Sequence, residues 1–394
     1  MAHNFDEIID RRGTYSIKYD EAEKRGKPQD ALPLWVADMD FRTPECVTDA
    51  LIEKARHGIF GYTDTDSDYA ASVTGWFVRR HGWRAEENWL VKTPGVVPAL
   101  HMAVKAFTEL GDAVIIQQPV YYPFVEAVSL TGRKLVVNEL VETDGYYTID
   151  FDDFERKIVE NDVKLFILCS PHNPVGRVWR REELERLAEI CLRHGVIVVS
   201  DEIHADFVYP DVGHRHIMFA SLSDEVRGIT VTCTAPSKTF NLAGLLISNL
   251  FIADEKLRRA FIAEYERCGF SQLAVMGMVA CKAAYDGGEP WLAELLTYLE
   301  GNMNYLDEAV KSRLPGVKFR KPEGTYLAWL DMRGLGIDAR KLDDFVLDSA
   351  KLWLDEGRIF GAGGKGFERV NVACPRSVLA EAASRLERAI AAIG

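Results

Sequence analysis

The feature that most constrains the fold is a series of short apolar runs that alternate with helical stretches through the middle of the chain. The runs are rich in β-branched residues, and several lack polar alternation, as strands buried on both faces require. They cover residues 113–117, 134–137, 164–169, 196–200, 229–232 and 246–252. Between two of them, residues 182–194 repeat apolar side chains at helical spacing and stop before Gly195, which favours a helix end. This order predicts an α/β fold with a mostly parallel sheet covered by helices.

Chain length and a change of pattern predict two domains. The 394 residues exceed what one ordinary core contains. After about residue 290 the sequence predicts a long helix to about 314, strands at 325–331 and 368–373, and helices at about 342–356 and 377–393. We predict a large α/β domain at 46–289 and a small α+β domain built from 1–45 and 290–394.

The start of the large domain carries a helix signal. Thr43 is suited to cap a helix, Pro44 to occupy its first position, and Gly58 to follow its end.

Composition excludes several classes of partner. Lys and Arg number 47 against 60 Asp and Glu, a net charge of −13 that disfavours nucleic acid. No apolar run reaches the roughly 18 residues of a membrane span, so no membrane association is expected. Residues 1–7 lack the basic and apolar segments of a signal peptide. The seven cysteines are scattered without a Cys-x-x-Cys pair, which predicts reduced thiols and a cytoplasmic location.

Three apolar runs end in polar clusters. These are Cys-Ser-Pro-His-Asn-Pro-Val-Gly at 169–176, Ser-Asp-Glu-Ile-His at 200–204, and Thr-Ala-Pro-Ser-Lys-Thr at 234–239. Each places an amide, a carboxylate or an amine where a strand stops. In open α/β sheets, ligands bind at the carboxyl ends of strands, so the three clusters predict one site.

The three clusters fit one chemistry. A lysine such as Lys238, beside a hydroxyl, forms an imine with an aldehyde once its pKa is lowered. An aspartate such as Asp201 at a neighbouring strand end holds a pyridine nitrogen protonated, which makes the ring an electron sink. Asn173 can donate a hydrogen bond to a phenolate oxygen.

Two further stretches suit the same site. The turn at 92–98 opens a helical run at 99–110, and a glycine-containing turn at a helix N-terminus offers free N–H groups to phosphate. Pro-Val-Tyr-Tyr-Pro-Phe at 119–124 follows a strand and offers an aromatic face for stacking on a ring.

These stretches resemble the fold-type I pyridoxal-phosphate enzymes of the class I/II aminotransferase group, over nearly the whole chain. Within that group the sequence is most similar to the MalY/PatB-like branch of cystathionine and cysteine-S-conjugate β-lyases. The resemblance is carried by residues 36–41, 60–63, 173–176, 200–204, 235–244, 324–330 and 369–376. It implies a pyridoxal 5′-phosphate cofactor and a small amino-acid substrate.

The resemblance implies roles for the residues at the reacting end of the cofactor. Lys238 would hold the cofactor as a Schiff base, and Asp201 would bind the pyridine nitrogen. Asn173 would bind the phenolic oxygen and face the substrate. Tyr121 would stack on the ring, and the Pro-x-Tyr spacing favours it over the adjacent Tyr122.

It also implies roles at the two far ends of the site. Gly95, Val96 and Ser237 would hold the phosphate. Tyr62 would reach the phosphate of a neighbouring subunit, which implies a homodimer. Arg369 would bind the substrate α-carboxylate as a bidentate fork.

The sequence departs from ordinary aminotransferases at two positions, in ways that resemble the β-lyase branch. His204 stands where many carry a tyrosine, and Leu246 stands where many carry a phosphate-binding arginine. His204 either tunes the cofactor oxygen or packs as a neutral histidine.

Two other motifs do not support another cofactor. The Gly-x-Gly-x-x-Gly at 361–366 is followed by a strand-like segment, not the helix that dinucleotide binding needs. The histidines at 204, 214 and 216 lack metal-ligand spacing, so no metal is expected.

The expected activity is β-elimination, which converts cystathionine or a cysteine S-conjugate to a thiol, pyruvate and ammonia. An aminotransferase would use the same lysine, aspartate and arginine and remains the alternative. A non-catalytic binding protein on this fold is a third reading. It is disfavoured because the sequence has no appended helix-turn-helix and keeps both Lys238 and Asp201.

Overall fold

The computed structural model describes residues 3–393; Met1, Ala2 and Gly394, at the ends of the predicted small domain, lie outside it. The strands are β1 Leu32–Pro33, β2 Leu90–Thr93, β3 Ala113–Gln118, β4 Lys134–Glu139, β5 Val141–Thr143, β6 Tyr146–Thr148, β7 Leu165–Cys169, β8 Ile197–Asp201, β9 Thr230–Thr234, β10 Ser248–Ile252, β11 Lys318–Phe319, β12 Leu327–Asp331, β13 Leu352–Trp353, β14 Asp355–Glu356 and β15 Phe367–Asn371. The helices are α1 Ile17–Asp20, α2 Glu45–His57, α3 Ser67–His81, α4 Val96–Phe107, α5 Pro123–Ser129, α6 Phe151–Asn161, α7 Arg181–His194, α8 Asp224–Gly228, α9 Pro236–Thr239, α10 Glu255–Arg267, α11 Val275–Gly287, α12 Glu289–Arg313, α13 Leu342–Asp344 and α14 Arg376–Ala391.

The main sheet of the described residues has seven strands in the order β2-β10-β9-β8-β7-β3-β4. The five strands from β9 to β4 run parallel to one another. Only β10 breaks the pattern, because it is antiparallel to both β9 and β2. The predicted α/β class with a mostly parallel sheet is confirmed.

Strand β7 shows why its sequence run has no polar alternation. Successive side chains of a strand point to opposite faces of a sheet. Phe166 and Leu168 pack into the hydrophobic cluster on one face, whereas Leu165 and Ile167 pack into the cluster on the other. Since helices cover both faces, every position of the strand must be apolar.

The parallel strands set the position of the polar clusters. In the register of β7, β8 and β9, Cys169 lies opposite Asp201, which in turn lies opposite Cys233. The three strands therefore end together at one edge of the sheet. The segments that carry Asn173 and Lys238 leave from that edge, directly after β7 and β9.

A smaller antiparallel sheet is formed among the described residues by β11-β12-β15-β14. Its strand β15 carries Arg369, which lies opposite Trp329 on one side and Asp355 on the other. Strand β1 of the N-terminal arm pairs in parallel with β13, so Leu32 lies opposite Leu352. This pairing agrees with a small domain made from both ends of the chain, whose boundaries at 45/46 and 289/290 stay a prediction.

The predicted helix at 342–356 is wrong beyond residue 349. The chain forms only α13 and a π-helical turn, Phe345–Ser349, before it extends into β13 and β14. The apolar residues here have helical spacing, but the segment pairs instead as strands with β1 and β15. These partners are distant in sequence, so the local pattern could not predict the pairing.

The predicted cap of α2 is also corrected. Helix α2 starts at Glu45 with Pro44 in the capping position, and the buried Thr43 hydroxyl has no hydrogen-bond partner within the described structure. Gly58 does end the helix, with φ of +74°.

Membrane-spanning helices are absent from the described residues, since none of these helices combines the required length with the required hydropathy.

Glu368 is a buried acid on β15 whose carboxyl group, unlike the guanidinium of the adjacent Arg369, is not in an ion pair among the described residues. Its side chain is 0 % exposed, and neither carboxyl oxygen has a hydrogen-bond partner among the described residues. Burial raises the pKa of Glu368 well above its ordinary value of 4.5, and the nearby Asp343 and Glu356 raise it further. The folded protein therefore favours the protonated form of this carboxyl.

Glu368→Gln is expected to raise the melting temperature, by about 2–3 °C more at pH 8 than at pH 5. A carboxyl with a raised pKa in the folded state keeps a proton that the unfolded chain releases above pH 4.5. Its contribution to stability is therefore present at low pH and is lost as the pH rises toward the folded pKa. Glutamine has no proton to lose. Scanning calorimetry at both pH values measures the difference.

The exposed Glu308 on α12 supplies the control, because Glu308→Gln should change the melting temperature equally at both pH values. An equal shift for Glu368→Gln at pH 5 and pH 8 would contradict the prediction.

Candidate active site

A cavity of about 430 Å³ opens at the sheet edge where β7, β8 and β9 end. The residues predicted for the site that line it are Gly95, Val96, Tyr121, Asn173, Asp201, His204, Ser237 and Lys238. The structure thus brings together side chains from segments that are far apart in sequence.

Lys238 lies in the short helix α9 that follows β9, with Pro236 at its first position. Its Nζ donates a hydrogen bond of 2.8 Å to the backbone oxygen of Ala37. Burial lowers the pKa of Lys238 to about 8, while the charge of Asp38 opposes that shift. Roughly one such amine in ten is neutral at pH 7, against fewer than about one in a thousand for an ordinary lysine.

The oxygen of Ala37 is a feature that the sequence did not reveal as part of the site. It also accepts a hydrogen bond of 2.9 Å from the hydroxyl of Tyr326, a residue that is 0 % exposed. The segment that carries Ala37 is fixed on one side by Asn241, whose amide oxygen accepts from Met39 N at 2.9 Å. Because this acceptor is a backbone atom, no residue type marks it in the sequence. Only the position of Tyr326, whose hydroxyl binds it, could have indicated its role.

Asp201 ends β8 and is 5 % exposed. Burial raises the pKa of Asp201 to about 7, and a hydrogen bond of 3.1 Å from the Ile203 amide opposes the shift. A cation placed against this carboxylate would favour its ionised form.

The Asn173 loop depends on Gly176. Gly176 has φ of +70°, and a Cβ there would lie 2.2 Å from the Cβ of Pro322. Only glycine fits this close approach. The backbone oxygen of Asn173 accepts a hydrogen bond of 3.1 Å from the amide of Tyr121, which joins two walls of the cavity.

Arg369 reaches the site from the small sheet and is 2 % exposed. Its Nη1 donates to Asn173 Oδ1 at 3.1 Å. Its Nη2 donates to the Trp35 oxygen at 3.0 Å and forms an ion pair with Asp355. Its Nε has no hydrogen-bond partner among the described residues. Asp355 was hidden from the sequence by the wrong helix prediction at 342–356.

The start of α4 forms another part of the cavity lining. Gly95 occupies the position that caps this 12-residue helix, and Val96 is its first residue. The hydroxyl of Thr93 donates to the Gly95 oxygen at 3.1 Å, which holds the turn. Ser237 and Leu246 also line the cavity, and Leu246 brings no charge to it. The free N–H groups of the helix start and one hydroxyl are the donors available to an anion here.

His204 and Tyr121 provide two ring-bearing walls. His204 is 4 % exposed, and its Nδ1 has no hydrogen-bond partner among the described residues. Burial lowers the pKa of His204 well below 6.5, and the charges of Lys238 and Arg369 lower it further, so the imidazole is neutral. Tyr121 is half-buried against Tyr122, with ring centroids 5.2 Å apart.

Two predicted residues do not line this cavity: Arg369, which contacts its wall through the hydrogen bond to Asn173, and Tyr62. The Tyr62 side chain is 95 % exposed and lines a separate cleft with Phe60 and Leu273.

Pyridoxal phosphate can be compared with this set of groups. The cavity has an amine of lowered pKa, a carboxylate at a strand end, and an amide beside them. The start of α4 also lines it and offers free N–H groups to a phosphate. Two buried polar atoms, Arg369 Nε and His204 Nδ1, lack partners among the described residues. The donor set fits the cofactor and an amino-acid carboxylate.

Known proteins resemble the chain over nearly its whole length. Residues 29–386 match the family model for aminotransferase class I and II. The chain is 48% identical to cystathionine beta-lyase PatB of Bacillus subtilis, over 98% of this chain and 100% of that protein. The structure superposes on cystalysin from Treponema denticola with a TM-score of 0.96, at 37% identity and covering 100% of both chains. A PLP-bound C-S lyase from Staphylococcus hominis gives 0.92, at 35% identity and 98% of both chains.

The reaction of Lys238 with pyridoxal phosphate should depend on pH in a specific way. The neutral amine attacks an aldehyde, and its fraction rises as the pH passes the lowered pKa of about 8. The rate of covalent attachment to cofactor-free protein should rise about tenfold from pH 7 and level off near pH 9. Stopped-flow absorbance measures this rate.

Lys238→Ala, at the same protein concentration, should show no such phase. A wild-type rate that continues to climb by tenfold per pH unit beyond about pH 9 would contradict the prediction, since it would indicate an ordinary lysine.

Proposed function

Because the chain belongs to the aminotransferase class I and II family, we propose that it uses the cavity at the sheet edge for pyridoxal-phosphate-dependent carbon–sulfur β-elimination. The substrates are L-cystathionine and cysteine S-conjugates, and the products are a thiol, pyruvate and ammonia. The observation that carries this conclusion is the convergence of Lys238, Asp201 and Asn173 on one cavity in a chain 48% identical to a cystathionine beta-lyase. Arg369 contacts the wall of that cavity through its hydrogen bond to Asn173.

Residues at the sheet edge would hold the cofactor. We propose that Lys238 binds its aldehyde carbon, Asp201 faces its ring nitrogen, and Asn173 donates to its phenolic oxygen. Tyr121 stacks on the ring. When bound, pyridoxal phosphate supplies a ring that takes up the electron pair left at the substrate Cα.

The phosphate end relies on neutral donors. Gly95 and Val96 lie at the start of α4, where N–H groups are free, and Ser237 adds a hydroxyl. Leu246 contributes no charge. The phosphate is therefore bound chiefly by hydrogen bonds and the helix dipole within this chain.

The chain's own residues then orient the substrate and move its proton. Arg369 binds the α-carboxylate as a fork, with Asn173 beside it. This attachment directs the Cα–H bond toward the Lys238 amine, which takes the proton. The sulfur leaves from Cβ with the electron pair of the C–S bond, and one water is consumed as the three-carbon fragment becomes pyruvate and ammonia.

His204 belongs to the cofactor side of the cavity in this proposal. Its neutral ring has an Nδ1 in the buried wall that lacks a hydrogen-bond partner among the described residues. A neutral imidazole there can form a hydrogen bond with the phenolic oxygen of the cofactor without adding a charge to the cavity.

The assembly is proposed to be a homodimer. Tyr62 is exposed beside Phe60, and their cleft is lined further by Leu273 and Met276. Exposed aromatic and apolar side chains of this kind favour a protein contact. Tyr62 would then reach the phosphate site of the partner subunit.

A cytoplasmic location of the protein stays a prediction, which the seven free cysteines support.

Holoenzyme incubated with L-cystathionine and no keto acid is expected to release pyruvate and homocysteine in equal amounts. β-Elimination needs no second substrate, whereas transamination stops after one turnover without a keto acid. Lactate dehydrogenase and a thiol reagent measure the two products. Lys238→Ala is the control and should release neither.

Conversion of the cofactor to its pyridoxamine form without pyruvate release would contradict the lyase assignment and establish the aminotransferase alternative.

Arg369→Gln is expected to raise KM for L-cystathionine by about 30-fold or more, because it removes a buried charge-assisted pair with the carboxylate. Steady-state kinetics measure it. Arg376→Gln is the matched control, since the Arg376 Nε donates to Asn302 at 2.6 Å and its guanidinium packs over the Tyr305 ring. Equal KM changes in both variants would contradict the role of Arg369.

A further inference from the structure

Asp355 is the acid that accompanies Arg369. It lies on β14 directly opposite Arg369 on β15, so both side chains project from the same face of the small sheet. Asp355 is 8 % exposed, and its Oδ2 accepts from Arg369 Nη2. The remaining acceptors of the guanidinium, Asn173 Oδ1 and the Trp35 oxygen, are neutral.

Two other charged groups near Asp355, Lys27 and Asp343, are paired with each other. Lys27 Nζ and Asp343 Oδ2 lie 3.3 Å apart. Arg369 is therefore the cation that balances Asp355. The guanidinium also lies over the Phe360 ring, 4.9 Å from its centroid, in surroundings that screen charge poorly.

This arrangement gives Arg369 a resident anion before any substrate arrives. A buried guanidinium without a counter-ion is costly, so Asp355 stabilises Arg369 in its place and fixes its plane. The same negative charge repels an incoming carboxylate. Asp355 therefore orients Arg369 and at the same time weakens the attraction of Arg369 for the substrate carboxylate.

We infer that Asp355 is a positioning residue that holds Arg369 and, by offsetting its charge, limits how tightly the substrate carboxylate binds. The inference rests on the proposed function of Arg369 as the carboxylate site. It assigns to Asp355 an effect on KM that a purely structural strand residue would not have.

The test uses holoenzyme and propionate, a carboxylate without an amino group, whose binding is followed by the visible absorption of the cofactor. Asp355→Asn keeps the size of the side chain and removes its charge. Propionate should bind about tenfold more tightly to this variant, as expected for a charge removed at a few ångströms' distance. KM for L-cystathionine should fall with it, while kcat changes less than about twofold.

Two further variants separate charge from shape. Asp355→Glu keeps the charge and should return propionate affinity close to the wild-type value. Glu356→Gln removes the neighbouring charge on β14, whose side chain pairs instead with Arg358 at 2.5 Å, and should leave propionate affinity unchanged. Melting temperatures of the variants establish that each is folded.

Propionate binding to Asp355→Asn that is equal to or weaker than in the wild type overturns the inference and makes Asp355 a packing residue. Arg369→Gln distinguishes the two levels of the argument. If it leaves propionate affinity unchanged, Arg369 is not the carboxylate site, and the role proposed for Arg369 fails before that of Asp355. If Arg369→Gln weakens propionate binding and Asp355→Asn does not strengthen it, the carboxylate role of Arg369 stands. Only the role of Asp355 then falls.

Discussion

The parallel pairing of β7, β8 and β9 is the constraint on which the rest of the site depends. Because the three strands end at one edge, Asn173, Asp201 and Lys238 meet although more than sixty positions separate the first from the last. The continuous apolar runs that form these strands therefore build the core and also determine where the site residues meet. A shift of one residue in the register of β8 would turn Asp201 to the other face of the sheet.

The site then depends on how its buried charges are compensated. Lys238 is destabilised as a cation by burial and donates to the Ala37 oxygen, whereas Asp201 is destabilised as an anion. Both shifts bring groups that ordinarily titrate far from neutrality to within about a pH unit of it, which suits proton transfer. Arg369 differs because it has Asp355 beside it. Breaking a buried pair of that kind commonly costs about 3–5 kcal/mol, so the pair holds the arginine in place.

The sequence predicted the sheet and the residues at its edge because both follow from local signals. A buried parallel strand needs apolar residues throughout, and polar clusters at strand ends mark a ligand site. Asp355 could not be found in this way, since the helical spacing at 342–356 is overridden by pairing with β1 and β15. The Ala37 oxygen is a backbone atom, which has no residue signature. Tyr62 is exposed in the single chain, so its proposed role depends on a second subunit that no local pattern describes.

The most direct test of the central claim is to reduce the cofactor-loaded protein with borohydride and to map the labelled peptide by mass spectrometry. The account predicts one phosphopyridoxyl group per chain, on Lys238. A label on another lysine, such as Lys92, or the absence of any label, would contradict the claim that the edge formed by β7, β8 and β9 holds the cofactor.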